Sequence, residues 1–278
     1  MARVDLHLHS TASDGQLSPA EVVARAASRE VTVVALCDHD TVAGYAEALA
    51  AGETCGVRVV LGVELTCWDS GRSVHLLGYG CQPDHPALSS AMAQRTAFRQ
   101  RHLSRLTARL TELGLPISME QVAALAGADS IGRPHLAAAM VEAGHVPDVK
   151  AAFDQYLRRN RPAYLLPDQE LPVREACEAV RAAGGLAVLA HPALDRAWQR
   201  LGEYASYLDG LEVYHPAHTP ELVRQFSADA VRHNLLLTGG SDNHGPQRPP
   251  DIGEVELPAE QWERLAAALS DVGRTDPS

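Results

Sequence analysis

Val4-Asp5-Leu6-His7-Leu8-His9 is the stretch on which the reading of this chain turns. Val4, Leu6 and Leu8 alternate with Asp5 and His7, the period-2 signature of a strand over residues 3–8. Two histidines at i and i+2 on a strand project to the same side. Ser18-Pro19-Ala20-Glu21 then carries a helix start: a Ser cap, Pro at the first helical position, and Glu completing a capping box. A strand, a polar loop and a helix of 19–29 form the opening of an α/β unit.

The same alternation continues outward. Strands are predicted at 31–37, 57–65, 73–79, 186–190, 210–214 and 235–239. Helices are predicted at 41–52, 171–183, 195–207, 219–233 and 259–269, with a polar, frayed tail over 270–278. Between Pro83 and about 164 the pattern changes to helices alone, at 88–113, 118–126, 134–143 and 148–158. Seven strands alternating with helices imply parallel βαβ units. A barrel of about seven strands is the natural closure, with a doubly wound sheet as the alternative. Residues 1–84 and 165–278 form the expected barrel, and 85–164 a helical insert.

Composition excludes several functions. The chain has 278 residues, 46% hydrophobic, which is enough for a sizeable core. No apolar run approaches the ~20 residues of a membrane span, and no signal-peptide core precedes Val4. Five cysteines without close pairing point to a reducing cytoplasm. A net charge of −11 argues against a broad nucleic-acid groove, though an anionic substrate can still be held at a local positive site. The G-x-x-x-x-G-K of a Walker-type phosphate loop is absent, and Schiff-base chemistry is disfavoured because Lys150 is the only candidate amine.

The thirteen histidines are the informative excess. His7 and His9 end the first strand, with Asp14 in the loop behind them. Asp38-His39-Asp40 ends the second strand and Glu64 the third. His75 lies on the fourth, His191 ends the fifth, and Asp242 and His244 follow the seventh. In a barrel the strand C-termini converge on one face. Asp38 or Asp40 alone could cap a helix over 41–52, and for Asp40 that reading is as good as a ligand. Six histidines and three carboxylates at successive strand ends read instead as a metal centre. That donor set suits Mn, Fe, Zn or Ni, and its size implies two or three divalent ions. His85, His102, His145 and His233 read as surface or structural residues; His135, His215 and His218 are open on spacing alone.

Asp5-Leu6-His7-Leu8-His9-Ser10 with Ser13-Asp14-Gly15, Cys37-Asp38-His39-Asp40, Gly62-Val63-Glu64, His75-Leu76-Leu77-Gly78-Tyr79, Ala190-His191-Pro192 and Ser241-Asp242-Asn243-His244 resemble the ordered motifs of the PHP (polymerase and histidinol phosphatase) superfamily. Within it the chain is most similar to the bacterial 3′,5′-nucleotide bisphosphate phosphatases and the RNA 5′-exonuclease group (RNase AM). Gly132-Arg133-Pro134-His135 and Asn160-Arg161-Pro162-Ala163-Tyr164 belong to that closer likeness. The resemblance implies a distorted (β/α)7 barrel with up to three metals, Mn first and Zn, Fe or Mg as alternatives. By motif position it places His7, His9, Glu64 and Asp242 on a first metal. Glu64, His75 and His191 then hold a second, and Asp14, His39 and His244 a third.

The activity so implied is metal-dependent hydrolysis of the 3′-phosphate of nucleoside 3′,5′-bisphosphates, extending to 5′-to-3′ removal of nucleotides from short RNA. The nucleophile would be a metal-bridging hydroxide held by Glu64, His191 and Asp242. Arg133, His135, Arg161 and His218 are the candidate substrate contacts, with His218 also the candidate acid. Guanidinium suits a second phosphate because it grips bidentately. The expected partner is a small phosphorylated nucleotide or a short RNA 5′ end, with no duplex DNA and no membrane, and the chain a monomer or weak oligomer. A histidinol-phosphatase-like enzyme is the nearest alternative; its cationic substrate tail would be repelled by the arginine pair. A non-catalytic metal-dependent binding module would require missing ligands, and none is missing. An amidohydrolase would bridge its metals with a carboxylated lysine, and Lys150 lies in the insert.

Overall fold

In the computed structural model, which describes residues 2–125, 131–165, 171–194 and 196–272, seven strands make one sheet in chain order. They are β1 (Val4–Leu8), β2 (Val33–Leu36), β3 (Arg58–Asp69), β4 (Arg72–Tyr79), β5 (Leu186–Leu189), β6 (Gly210–Tyr214) and β7 (Leu236–Gly239). A parallel bridge between Leu8 and Asn243, with His9 N donating to Asn243 O at 3.1 Å, brings the sheet back to β1 as a nearly closed barrel.

The pairing is not parallel throughout, which corrects the expectation of repeated βαβ units. β3 pairs antiparallel with β4, and β4 antiparallel with β5; the other neighbours are parallel. The cause is the tight turn Asp69-Ser70-Gly71-Arg72. Ser70 (φ 49°) and Gly71 (φ 84°) are both left-handed, the type I′ geometry whose twist matches a hairpin. β3 therefore continues to Asp69 instead of stopping at 65. Because β4 runs backwards, His75 near its beginning sits opposite Thr66, at the end of the barrel where the parallel strands finish.

α1 (Pro19–Ser28) forms with the expected capping box, Ser18 and Glu21 satisfying each other's backbone donors, and buries Val22, Val23 and Ala26. α2 (Tyr45–Cys55) starts and ends later than the predicted 41–52. Gly44 is its N-cap and Gly56, at φ 70°, ends it. Neither Asp38 nor Asp40 caps it: Asp38 receives hydrogen bonds from Ser10 and Ser13, and Asp40 Oδ1 accepts from Thr66 N at 2.8 Å.

Residues 197–207, expected as one helix from 195, break into a 3₁₀ turn, a four-residue helix (Leu201–Tyr204) and a second 3₁₀ turn. Asp195 lies outside the described residues, as do Ala126 at the end of the predicted 118–126 helix and 273–278 of the expected frayed tail. Helices Val173–Ala182, Pro220–Arg232 and Ala259–Val272 complete the barrel unit. Apolar clusters join these helices to the strands; Val63, Leu65 and Leu76, for example, pack with Val173, Cys177 and Val180.

The chain folds as two compact units, Met1–Met92 with Leu171–Ser278, and Ala93–Glu170. The second unit has its own core of Leu103, Leu106, Leu110, Val122, Leu136, Met140 and Leu157. Its helices carry local stop and start signals, among them Gly114 at φ 78° and the Ser118–Gln121 capping box. Among the described residues no helix is long and apolar enough to cross a membrane. All five cysteines are free.

One glycine ties packing to the site. A Cβ on Gly240 would lie 2.4 Å from His7 N and 2.6 Å from His7 Cβ. Backbone cannot yield as a flexible side chain does, so Gly240→Ala should destabilise by about 1–3 kcal/mol. Thermal unfolding should show a Tm several degrees lower, with activity reduced even below that Tm because His7 is displaced. An unchanged Tm would mean that the β1–β7 seam is looser than this packing implies.

Candidate metal centre

β1 delivers His7 and His9 to the barrel mouth, both fully buried. The loop behind them is held by Asp38, which accepts from Ser10 N (2.7 Å), Ser10 Oγ (2.7 Å) and Ser13 Oγ (2.6 Å). Asp5 on the same strand accepts from Ser241 N (2.9 Å) and Gly253 N (2.8 Å), locking the segment that carries Asp242 and His244. Asp40 and Asp242 adopt left-handed φ of 54° and 52°, uncommon for non-glycine residues and concentrated at functional sites.

All nine sequence-predicted ligands meet at this mouth. Glu64 is the centre of the arrangement. Its Oε2 lies 3.3 Å from His7 Nε2, 3.3 Å from His9 Nε2 and 3.2 Å from His39 Nδ1. Its Oε1 lies 3.0 Å from His75 Nδ1 and 2.9 Å from His191 Nε2. Asp242 Oδ1 faces His9 Nε2 at 3.1 Å and His7 Nε2 at 3.4 Å, and Asp14 Oδ1 faces His244 Nε2 at 3.3 Å.

Three sets have donor atoms mutually within 4.8 Å: His7, His9, Glu64 and Asp242; His9, Asp14, His39 and His244; and His39, Glu64 and His75. His39 thus lies within reach of two sets, whereas the resemblance gave it to one. His191 joins the third set through Glu64 Oε1.

The electrostatics suit cations. Burial would raise the Glu64 carboxyl, but His39, His75 and His7 around it hold its pKa well below the usual range. Asp242 and Asp14 are likewise depressed, against burial, by the imidazoles that face them. Burial opposes charge on His9 and His191, yet contact with Asp242 and Glu64 raises His9 to about 10, and Glu64 raises His191 to about 9. Burial dominates at His39 and lowers it to about 4. Carboxylates thus stay ionised and draw protons onto neighbouring rings. Both ring nitrogens of His9, and Nδ1 of His39 and His75, are buried and make no hydrogen bond of good geometry. A buried imidazole normally finds a partner. These orphaned nitrogens converging on carboxylates fit divalent metal ions.

Glu212 is the functional residue that the sequence reading missed. Fully buried on β6, it accepts from His7 Nδ1 at 2.9 Å and from the backbone N of His191 at 2.7 Å. It therefore fixes the His7 tautomer, leaving Nε2 for a metal, and pins the start of the loop after β5. Its one sequence signal is a charge inside the apolar run Leu211-Glu212-Val213. Glu212→Gln should lower metal affinity about 10- to 100-fold with the fold intact. Competition with a chelating dye, alongside circular dichroism, measures this; full affinity would remove Glu212 from the site.

His215, left open by spacing, also belongs here: its Nε2 lies 3.3 Å from Asp242 Oδ2. His218 is buried beside it. Its Nδ1 lies 2.9 Å from the Val213 carbonyl, which can only accept, so Nδ1 carries the proton and Nε2 offers a lone pair. Burial lowers its pKa, so to act as an acid it would first have to take a proton. The remaining candidates lie in the other unit. Arg133 and His135 occupy the first turn of the helix Arg133–Glu142, where His135 Nδ1 accepts from Gly132 N at 3.1 Å. Arg161 is exposed in the turn that closes on Arg158 O. Neither guanidinium enters an ion pair among the described residues.

Residues 5–214 match the PHP domain model, a span holding every candidate ligand except Asp242 and His244. The chain belongs to the PHP domain family. Among relatives of this PHP protein, a 5′-3′ exoribonuclease of Haemophilus influenzae is 34% identical over 95% of this chain and 99% of its own. A 3′,5′-nucleoside bisphosphate phosphatase of Chromobacterium violaceum is 34% identical over 92% of each. A phosphoribosyl 1,2-cyclic phosphate 1,2-diphosphodiesterase of Eggerthella lenta is 36% identical over 90% of this chain and 97% of its own. A solved structure from Bifidobacterium adolescentis, assigned as a metal-dependent phosphoesterase, superposes with a TM-score of 0.81 at 35% identity, covering 95% and 96% of the two chains. PHP membership and these relatives make this chain a phosphoesterase of the metal-dependent kind.

Proposed function

We propose that this PHP protein removes the 3′-phosphate from nucleoside 3′,5′-bisphosphates and releases nucleotides from the 5′ end of short RNA, using two or three divalent ions, Mn first. The observation that carries the reading is Glu64, whose two oxygens divide five imidazoles between them, three on Oε2 and two on Oε1. One carboxylate so placed can serve two cations at once.

When bound, the ions supply an activated water as nucleophile and neutralise the charge of the phosphoryl oxygens. Glu64, His191 and Asp242 would set the position from which that water attacks in line with the leaving oxygen. Glu212 keeps His7 in the required tautomer. His218 Nε2 would accept a hydrogen bond from a substrate hydroxyl. Arg133, His135 and Arg161 would take the phosphate that does not react, since a guanidinium fork matches its geometry. The free cysteines fit a reducing, cytoplasmic location. A monomer or weak oligomer completes the reading.

A phosphate-release panel with Mn tests it, comparing adenosine 3′,5′-bisphosphate, 5′-phosphorylated RNA, histidinol phosphate and a ribose 1,2-cyclic phosphate. The bisphosphate and the RNA should be the best substrates. Preference for either of the other two would reassign the substrate while leaving the metal centre in place.

A further inference from the structure

The β3–β4 hairpin and the segment after His191 enclose a cavity of about 220 Å³. Among the described residues, Arg72, Arg196 and Arg200 line it with one carboxylate, Asp69. Arg200 is already committed: it pairs with Asp69 and Glu203 and bonds the Ser70 hydroxyl, while Tyr204 donates to Asp69. That network builds a fixed wall. Arg72 and Arg196 are different, both exposed and neither with a side-chain hydrogen bond or ion pair among the described residues. Arg196 is also held at a left-handed φ of 54°, which keeps the chain turned at this point.

Both walls lead to the metal centre. β4 runs from Arg72 to His75, about 10 Å at the rise of a strand. The other wall begins five residues after His191, the second imidazole on Glu64 Oε1. Arg72 and His75 fall on opposite faces of β4, because successive strand residues alternate, so the cavity lies beside the centre and not within it. Trp198, between the lining residues Ala197 and Gln199, is 37% exposed.

We infer that this cavity is a binding site for a downstream phosphate of single-stranded RNA whose 5′ end occupies the metal centre, with Trp198 offering a face on which a base stacks. The inference rests on the RNA part of the proposed function. Two guanidiniums in a cavity, without an ion pair among the described residues, suit a phosphodiester, and an exposed indole between cationic residues is the usual composition of a single-strand path. A mononucleotide bound at the centre carries no further phosphate for a cavity on the other face of β4, whereas a chain of several nucleotides does. The site would thus separate long substrates from small ones within one enzyme.

The test uses R72E/R196E, W198A and the charge-preserving R72K/R196K. Each is assayed on a 5′-phosphorylated RNA 10-mer, a 2-mer and adenosine 3′,5′-bisphosphate. R72E/R196E should lower kcat/KM on the 10-mer by about 30-fold or more at low salt, W198A by several-fold, and R72K/R196K by little. Activity on the 2-mer and the bisphosphate should stay within about twofold. Anisotropy of a labelled 10-mer in EDTA gives a second readout that needs no turnover. R72E/R196E should weaken this binding and reduce the slope of log K against log salt by about 0.7, the value for one phosphate contact on a single strand. Equal losses on all three substrates, or unchanged 10-mer binding in EDTA, would overturn the inference. If the wild-type protein turns over neither RNA nor bisphosphate, the proposed function fails; the anisotropy result still decides this site.

Discussion

Glu64→Gln should lose both metal and turnover. The substitution keeps the volume of the side chain and removes the one charge that five imidazoles share. Removing one partner of a buried charge set costs about 3–5 kcal/mol, because the others are left uncompensated. Expressed entirely in the rate, that is roughly 10²- to 10⁴-fold. Glu64 lies mid-strand on β3, hydrogen-bonded through its backbone to Asp38 and Asp40, so the barrel should still fold. Elemental analysis and phosphate release on the same preparation would measure both losses. A variant with a full metal set and near wild-type rates would show that Glu64 does not bridge.

Arg133→Ala and Arg161→Ala should change substrate choice more than chemistry. A 3′,5′-bisphosphate has a second phosphate for a guanidinium to grip, and a monophosphate has none. One charge-assisted contact contributes roughly 1.5–3 kcal/mol, hence about 10- to 150-fold in kcat/KM per anchor. The loss should appear with the bisphosphate and be much smaller with a nucleoside 3′-monophosphate. Because both side chains are exposed and outside ion pairs among the described residues, the second unit should keep its stability. Equal losses on the two substrates would make the arginines structural and leave the substrate an unspecified phosphate ester.

How much of this was legible in the sequence depended on the range of the interaction. Polar residues interrupting apolar strands pointed to all nine candidate ligands, because a charge at a strand end has few reasons to be there. The α1 cap was readable because Ser18 and Glu21 satisfy each other within one turn. The β3–β4 hairpin carried a local signal too, Ser70-Gly71. Alternation of strands and helices implies parallel neighbours, and His75 reaches the centre because β3 and β4 pair antiparallel. Long-range pairs stayed hidden. Asp40 resembles a helix cap, yet its carboxylate serves Thr66 on a neighbouring strand. Glu212 meets His7 from 205 residues away, and no spacing rule connects them. The helix expected over 195–207 had suitable apolar spacing, but the left-handed Arg196 and the Arg200–Asp69–Tyr204 network impose short turns instead.

Metal content measured together with adenosine 3′,5′-bisphosphate hydrolysis, on one preparation before and after chelation, tests the multinuclear phosphoesterase most directly. The purified protein should hold at least two transition-metal equivalents per chain and release the 3′-phosphate. Chelation should remove both metal and activity, and Mn should restore them together. A chain that remains fully active with one ion or none would contradict a centre built on Glu64.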